Sequence, residues 1–250
     1  MQAQITQITT LEEAMQRFQQ TDCHTLAIFD LDMVLIQPSD PAFQMPMICR
    51  YSAISKRVMQ SLSADKKHIF LTLMTLGSNP MLIDPDAPSY LADLQNAKIP
   101  TIALTGNLTG QLQSIDLVPW KISHLCQLGL DFSHLNVLQG EYVFSNLAAC
   151  RGNYPLYQNG VLFTNSLEKG EVLVNFLKYT NLHIERVVFI DDREHNLKDV
   201  AAALLAYNPD ILYEGLHYLG ACAYPCPTEI SEQEFEKKWE DLAELAKKTD

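Results

Sequence analysis

The stretch Thr25-Leu-Ala-Ile-Phe-Asp-Leu-Asp-Met-Val-Leu-Ile36 decides how the rest of the chain is read. Leu26 to Phe29 is a short run of consecutive apolar residues, the pattern of a strand covered on both faces. It ends in Asp30 and Asp32, after which apolar residues resume. Unpaired buried carboxylates are expensive, so the pattern asks for a divalent cation at the carboxyl end of the strand.

Working outward, the same kind of run recurs. Thr101 to Thr105 leads into Gly106 and Asn107, Val161 to Thr164 into Asn165 and Ser166, and Arg186 to Ile190 into Asp191 and Asp192. A fifth strand is expected at Ile211–Glu214. Helical spacing fills the intervals. Thr10-Leu-Glu-Glu13 is a capping box followed by Leu11, Met15 and Phe18 on one face. Asp84-Pro85-Asp86 opens a helix carrying Tyr90, Leu91, Leu94 and Ala97. Further helices are expected around Leu108–Ile115, over Trp120–Leu128 with Gly129 as its stop, from Ser166–Lys169 onward, and over Glu194–Ala206. Ser133 to Gln158 reads as an irregular or β-hairpin excursion. Strands alternating with helices predict an α/β fold, a three-layer sandwich about a central parallel sheet, with sites at the strands' carboxyl ends.

Two segments stand outside this alternation. After Ile36 the chain passes Pro38, Pro41 and Pro46, then two helical stretches, Arg50–Leu62 and His68–Leu76. This predicts a small, mainly helical cap over 37–84, inserted into a core domain of 1–36 and 85–250. Its methionines (Met45, Met47, Met59, Met74, Met81) read as adaptable core. At the other end, Ser231-x-x-Glu234 opens a tail helix over about 228–248, with Phe235, Trp239, Leu242 and Leu245 on one stripe. Docking on the core is the expected fate of that stripe, with a partner protein as the alternative.

Composition narrows the function. The chain has 250 residues, 47% of them hydrophobic, and a net charge of -12. An acidic surface argues against nucleic acid and anionic membranes as nonspecific partners. It leaves an anionic substrate open, because a metal and local donors can reverse the field within one cleft. No run approaches a membrane span, and Met1-Gln-Ala-Gln-Ile-Thr has no secretory pattern. A cytoplasmic location is expected, with leaderless export or a missing signal as the alternative. The six cysteines read as small buried hydrophobes in a reducing compartment. Cys222 and Cys226 could pair or bind metal, but no second ligand pair has zinc spacing. Oligomeric state is not legible.

The polar strand ends suggest a chemistry. Asp30 and Asp32, on alternate positions, point in different directions, so one can attack phosphorus while the other serves the leaving group. Asp191 and Asp192 add hard oxygen ligands, suited to Mg²⁺. Thr105, with the backbone N–H groups that follow at Gly106, can donate to a phosphate. Lys169 sits in a helix's first turn, where the macrodipole disfavours a cation unless an anion lies nearby. His195, beside the paired acids, reads as a helix-start residue at the pocket rim rather than a proton shuttle.

Taken in order, Phe29-Asp30-Leu-Asp32-Met-Val34-Leu35, Ile102-Ala-Leu-Thr105-Gly-Asn107, Lys169 and Val188-Phe-Ile-Asp191-Asp192 resemble the four motifs of the haloacid dehalogenase superfamily of aspartate-nucleophile phosphatases. The resemblance covers about residues 10–215 and is also similar to a little-characterised bacterial branch distantly related to acid phosphatases. It implies a Rossmann-like core and a Mg²⁺-dependent phosphomonoester hydrolase working through an aspartyl-phosphate. Asp30 would be nucleophile and metal ligand, and Asp32 general acid/base with its backbone carbonyl on the metal. Thr105, Gly106 and Lys169 would bind phosphate; Asp191 and Asp192 would complete the metal site. Val34 stands where many members have Thr. Asp32 separates the chain from the dehalogenases, and Leu31 from the ATPases, which carry Lys there. A phosphotransferase to an acceptor other than water and an inactive binding protein are the alternatives. The phosphorylated substrate, small molecule or protein, has no signature.

Overall fold

The computed structural model describes residues 4–19, 21–134, 140–224 and 228–249. In chain order the strands are β1 (Gln4–Ile8), β2 (Thr25–Phe29), β3 (Ile36–Pro38), β4 (Pro80–Leu82), β5 (Thr101–Thr105), β6 (Gln111–Leu112), β7 (Ile115–Asp116), β8 (Glu141–Val143), β9 (Leu156–Gln158), β10 (Val161–Phe163), β11 (Arg186–Asp191) and β12 (Leu212–Tyr218). The α-helices are α1 (Leu11–Met15), α2 (Met45–Arg50), α3 (Ser52–Gln60), α4 (Ala64–Leu76), α5 (Ala87–Asn96), α6 (Leu117–Gln127), α7 (Lys169–Thr180), α8 (Glu194–Tyr207), α9 (Gly220–Ala223) and α10 (Glu232–Lys248).

Among the described residues, eight strands form one sheet in the order β1-β12-β11-β2-β5-β10-β9-β8. All pairings are parallel except β10 with β9 and β9 with β8. The alternation of side chains along β2 divides the interior. Ala27 and Phe29 join Leu11, Leu91, Val118 and Leu125 on one face. Leu26 and Ile28 join Val172, Phe176, Leu197 and Val200 on the other. The fold is therefore an α/β three-layer sandwich with a mostly parallel sheet. From β2 the chain steps outward to β5 and β10, then crosses back to β11 and β12 on the other side. That reversal makes the carboxyl end of β2 a topological switch point, where open α/β sheets form clefts.

The insertion leaves through β3 and returns through β4, an antiparallel pair outside the main sheet. Its helices α2, α3 and α4 enclose a third apolar cluster with Phe43, Ile54, Val58, Phe70 and Leu73. The tail helix α10 completes this cluster with Phe235, Trp239 and Ala243. The tail stripe thus docks, but on the inserted helices rather than on the sheet with which residues 85–250 were grouped. Ser231 caps the helix as expected, accepting from the Glu234 N–H at 3.2 Å. Lys238 ties it to Asp40, and Trp239 Nε1 donates to the Ala42 carbonyl at 2.8 Å.

Three expectations need correction. Leu108–Ile115 is not a helix but the β6–β7 hairpin, because Gln113 and Ser114 both take positive φ (50° and 67°) and reverse the chain in two residues. Strand β1 was missed: Gln-Ile-Thr-Gln-Ile is too polar to read as a strand, yet it pairs with β12 at the sheet's edge. Among the described cysteines, Cys23 and Cys126 are exposed rather than buried, Cys49 is bonded to Cys222, joining α2 to α9, and only Cys150 packs, half-buried, against an apolar cluster. Cys222 is therefore not paired with Cys226, which lies outside the described residues.

Candidate active site

The carboxyl ends of β2, β5 and β11 and the start of α7 bring together the residues singled out from the sequence. Asp30 leaves β2 nearly buried, its Oδ1 accepting the Leu31 N–H at 2.8 Å. Asp191, the last residue of β11, is fully buried. Its Oδ1 accepts the Arg193 N–H at 2.8 Å, and both oxygens accept Asn196 Nδ2, at 2.9 and 3.0 Å. Lys169 is the first residue of α7 and only 5% exposed; its Nζ lies 2.9 Å from Asp30 Oδ1 and 2.7 Å from Asp191 Oδ2. The placement that the helix dipole disfavours is offset by two carboxylates.

Asp30, Asp191 and Asp192 can each offer one oxygen within 4.8 Å of the others. Three carboxylates face one ammonium, so negative charge is in excess. Burial pushes the Asp30 carboxyl up to about 8; Asp191 and Asp192 add to the rise and Lys169 opposes it. Burial likewise raises Asp192 to about 6, against the pull of Arg193 and Lys169. Burial works against the charged form of Lys169, but Asp30 and Asp191 together hold its pKa above the ordinary value. A set of clustered hard oxygen donors with surplus negative charge fits a divalent cation of the Mg²⁺ type.

Asp32 points elsewhere. Its carboxylate meets Lys121 Nζ at 3.0 and 3.3 Å and accepts Asn107 Nδ2 at 2.8 Å, so its side chain stands apart from the metal-competent trio. Any contact with the ion would fall to its backbone carbonyl, as the resemblance implies. Lys121 escaped the sequence reading. The signal was present: Lys121 shares a helical stripe with Leu117, Val118 and Leu125, all buried. A lysine on the apolar face of a helix asks for a partner.

Thr105 is buried, and its hydroxyl accepts the Asn107 N–H at 3.3 Å. Asn165, noted in the sequence as a polar strand end but given no role there, is fully buried and joins two site loops. Its Oδ1 accepts the Thr109 N–H, and its Nδ2 donates to the Cys150 and Asn153 carbonyls. Asn165 and Ser166 hold positive φ (50° and 67°), which delays the start of α7 to Lys169. Among the described residues, Ser166 Oγ and Asn107 Oδ1 are buried atoms without a hydrogen-bond partner, and both residues line the cleft. Buried polar groups of this kind are normally satisfied, and a bound ligand would do so.

The cleft encloses about 600 Å³. Asp30, Asp32, Thr105, Gly106 and Lys169 line its floor, and Met45, Met59, Met74 and Trp239 belong to its opposite wall. Met47 and Met74 belong to the cap's apolar cluster and Met45 and Met59 pack against it, as expected for core, while Met45, Met59 and Met74 also line the cavity. His195 is exposed and lines the mouth. Of the cap's basic residues Lys56 and His68 reach the cleft; Arg50 pairs with Glu229, and Arg57 with Glu236 and Glu240.

Fold and site together define an α/β protein with a carboxylate-and-lysine cleft at the switch point of a parallel sheet. The chain belongs to the family described as protein of unknown function (DUF2608), whose model matches residues 7–249. It is similar to an uncharacterized protein of Rickettsia bellii, 25% identical over 198 residues that make up 77% of this chain and 68% of the relative. An uncharacterized protein of Rickettsia felis is 26% identical over 166 residues, 64% of this chain and 56% of the relative. The chain thus spans little more than half the length of the second. No helix among the described residues is long and apolar enough to cross a membrane.

Proposed function

We propose that this protein is a Mg²⁺-dependent phosphomonoester hydrolase working through an aspartyl-phosphate on Asp30. The observation that carries the reading is the convergence of Asp30, Lys169, Asp191 and Asp192 where the carboxyl ends of the neighbouring strands β2 and β11 meet the start of α7, with Asp32 aimed separately at the same cleft. The resemblance to haloacid dehalogenase phosphatases supports it.

Asp30, Asp191 and Asp192 would hold Mg²⁺, which when bound offsets repulsion between carboxylate and phosphate and polarises the phosphoryl oxygens. A carboxylate oxygen of Asp30 attacks phosphorus, and the bond from phosphorus to the ester oxygen breaks. Asp32, as the general acid, passes a proton to that oxygen, releasing the alcohol. The Asp32 carboxylate then takes a proton from water, whose oxygen attacks the same phosphorus. The bond to Asp30 breaks and phosphate leaves. Lys169 and the Thr105–Asn107 turn hold the phosphoryl oxygens, while Lys121 and Asn107 fix the Asp32 carboxyl. Hydrolysis of p-nitrophenyl phosphate with Mg²⁺ tests the reading: Asp30→Asn is expected to abolish it, and equal rates in the two proteins would end the proposal.

The Cys49–Cys222 bond favours the exported alternative over a cytoplasmic location, since structural disulfides persist in oxidising compartments. Thiol alkylation of protein taken from its native cell checks this, with both cysteines expected to resist labelling.

A further inference from the structure

The two halves of the cleft differ in chemistry. Its floor is ionic. Its wall, built by the inserted helices and α10, presents Met45, Ile48, Met59, Leu71 and Met74. Lys56, the His68 imidazole and three hydroxyls interrupt that wall, and each hydroxyl has its proton engaged within its own helix. Ser55 Oγ donates to the Ser52 carbonyl at 3.2 Å, Thr72 Oγ1 to the His68 carbonyl at 2.9 Å, and Thr75 Oγ1 to the Thr72 carbonyl at 2.8 Å.

A sugar or other polyol desolvated here would lose bonds to water and find few donors on this wall: the three hydroxyls can accept but not donate, which leaves Lys56 and His68 and a penalty for each bond unmade. Thioethers and methylenes instead adapt to apolar groups of varied shape. Lys56 and Arg193 are exposed in the cleft lining, where they can draw a phosphate dianion toward an otherwise acidic protein.

We infer, resting on the phosphatase reading, that the cleft takes phosphomonoesters with an apolar alkyl or aryl leaving group and discriminates against sugar and polyol phosphates.

Two measurements on the full chain test this: kcat/KM for n-alkyl phosphates from ethyl to octyl beside glucose 6-phosphate, and calorimetric binding of the matching n-alkylphosphonates, which cannot be hydrolysed. Affinity and kcat/KM are expected to rise up to about fourfold per methylene, the factor for a fully buried CH₂. Leu71→Gln should narrow the octyl-to-ethyl ratio about tenfold. Hydrolysis without chain-length dependence, or glucose 6-phosphate equal to octyl phosphate, overturns this inference and leaves the phosphatase reading intact. Chain-length-dependent phosphonate binding with no ester hydrolysed overturns the phosphatase reading and supports the apolar cleft. Neither binding nor hydrolysis overturns both.

Discussion

Lys121 Nζ lies 3.0 Å from Asp32 Oδ1, and the lysine is only 3% exposed. This buried ammonium helps to fix the direction of the Asp32 carboxylate, and removing it leaves the Asn107 hydrogen bond at 2.8 Å to hold the carboxylate without its ion pair. Lys121→Met should therefore lower kcat for an alkyl phosphate by about 10- to 100-fold, part of the roughly 100- to 10,000-fold that general acid/base catalysis supplies in full. Mg²⁺ affinity, measured by calorimetry, should stay unchanged, because Asp32 lies outside the carboxylate trio. An unchanged kcat would remove Lys121 from the mechanism.

The carboxylate cluster predicts a pH dependence of stability in metal-free protein. Asp30 is raised by burial to about 8, and Asp192 to about 6, from an ordinary value of 3.8. Between those limits the folded chain holds protons that the unfolded chain has released, so unfolding becomes easier as pH rises. The contribution is complete below the ordinary value and lost once pH passes the folded value of each group. Thermal scans without metal should show Tm falling from about pH 5 to about pH 8, with Asp30→Asn flattening much of the slope. Added Mg²⁺ should raise Tm more at the upper end, since it need not displace protons there. A Tm that rises over this interval would contradict the crowded-carboxylate picture.

The β6–β7 hairpin tests why one local reading failed. Leu108, Leu112 and Ile115 have helical spacing, but Gly110, Gln113 and Ser114 all adopt positive φ. Gln and Ser give little hint of such a turn, where Asn-Gly would have announced it. Replacing them, as Gln113→Asn with Ser114→Gly, should stabilise the chain by about 0.5–1 kcal/mol, measured by urea unfolding. Destabilisation would mean the segment is not this turn.

The same contrast runs through the molecule. Strands β2, β5, β10 and β11 were legible because buried parallel strands are continuously apolar, and the polar residues ending them stood out for that reason. Asp30, Asp191 and Lys169 followed. Lys121 and the role of Asn165 did not, because each residue acts through a partner far along the chain, Asp32 for one and Thr109, Cys150 and Asn153 for the other. The β1 edge strand was hidden by its polar side chains. The amphipathic stripe of α10 was plain, but a stripe does not name the surface it covers.

That surface gives a further prediction. Trp239 stacks on Phe235, packs against Phe43 and Phe70, and lines the cleft. Trp239→Ala should cost about 3–5 kcal/mol of stability in denaturant titrations. Removing residues 229–250 should lower both stability and turnover, since the helix closes the cap cluster and contributes to the cleft wall. A truncated chain that stays folded and fully active would show that α10 serves something else.

The central claim is that Asp30 carries the phosphoryl group, and trapping it is the most direct test. Nitrophenolate leaves without help from an acid, so Asp32→Asn should still form the aspartyl-phosphate while failing to activate water for its breakdown. Acid-quenched turnover of p-nitrophenyl phosphate with Mg²⁺, followed by peptide mass spectrometry, should place a phosphoryl adduct on Asp30 in Asp32→Asn and none in Asp30→Asn. Sustained hydrolysis by Asp30→Asn, or an adduct on another residue, would contradict the account.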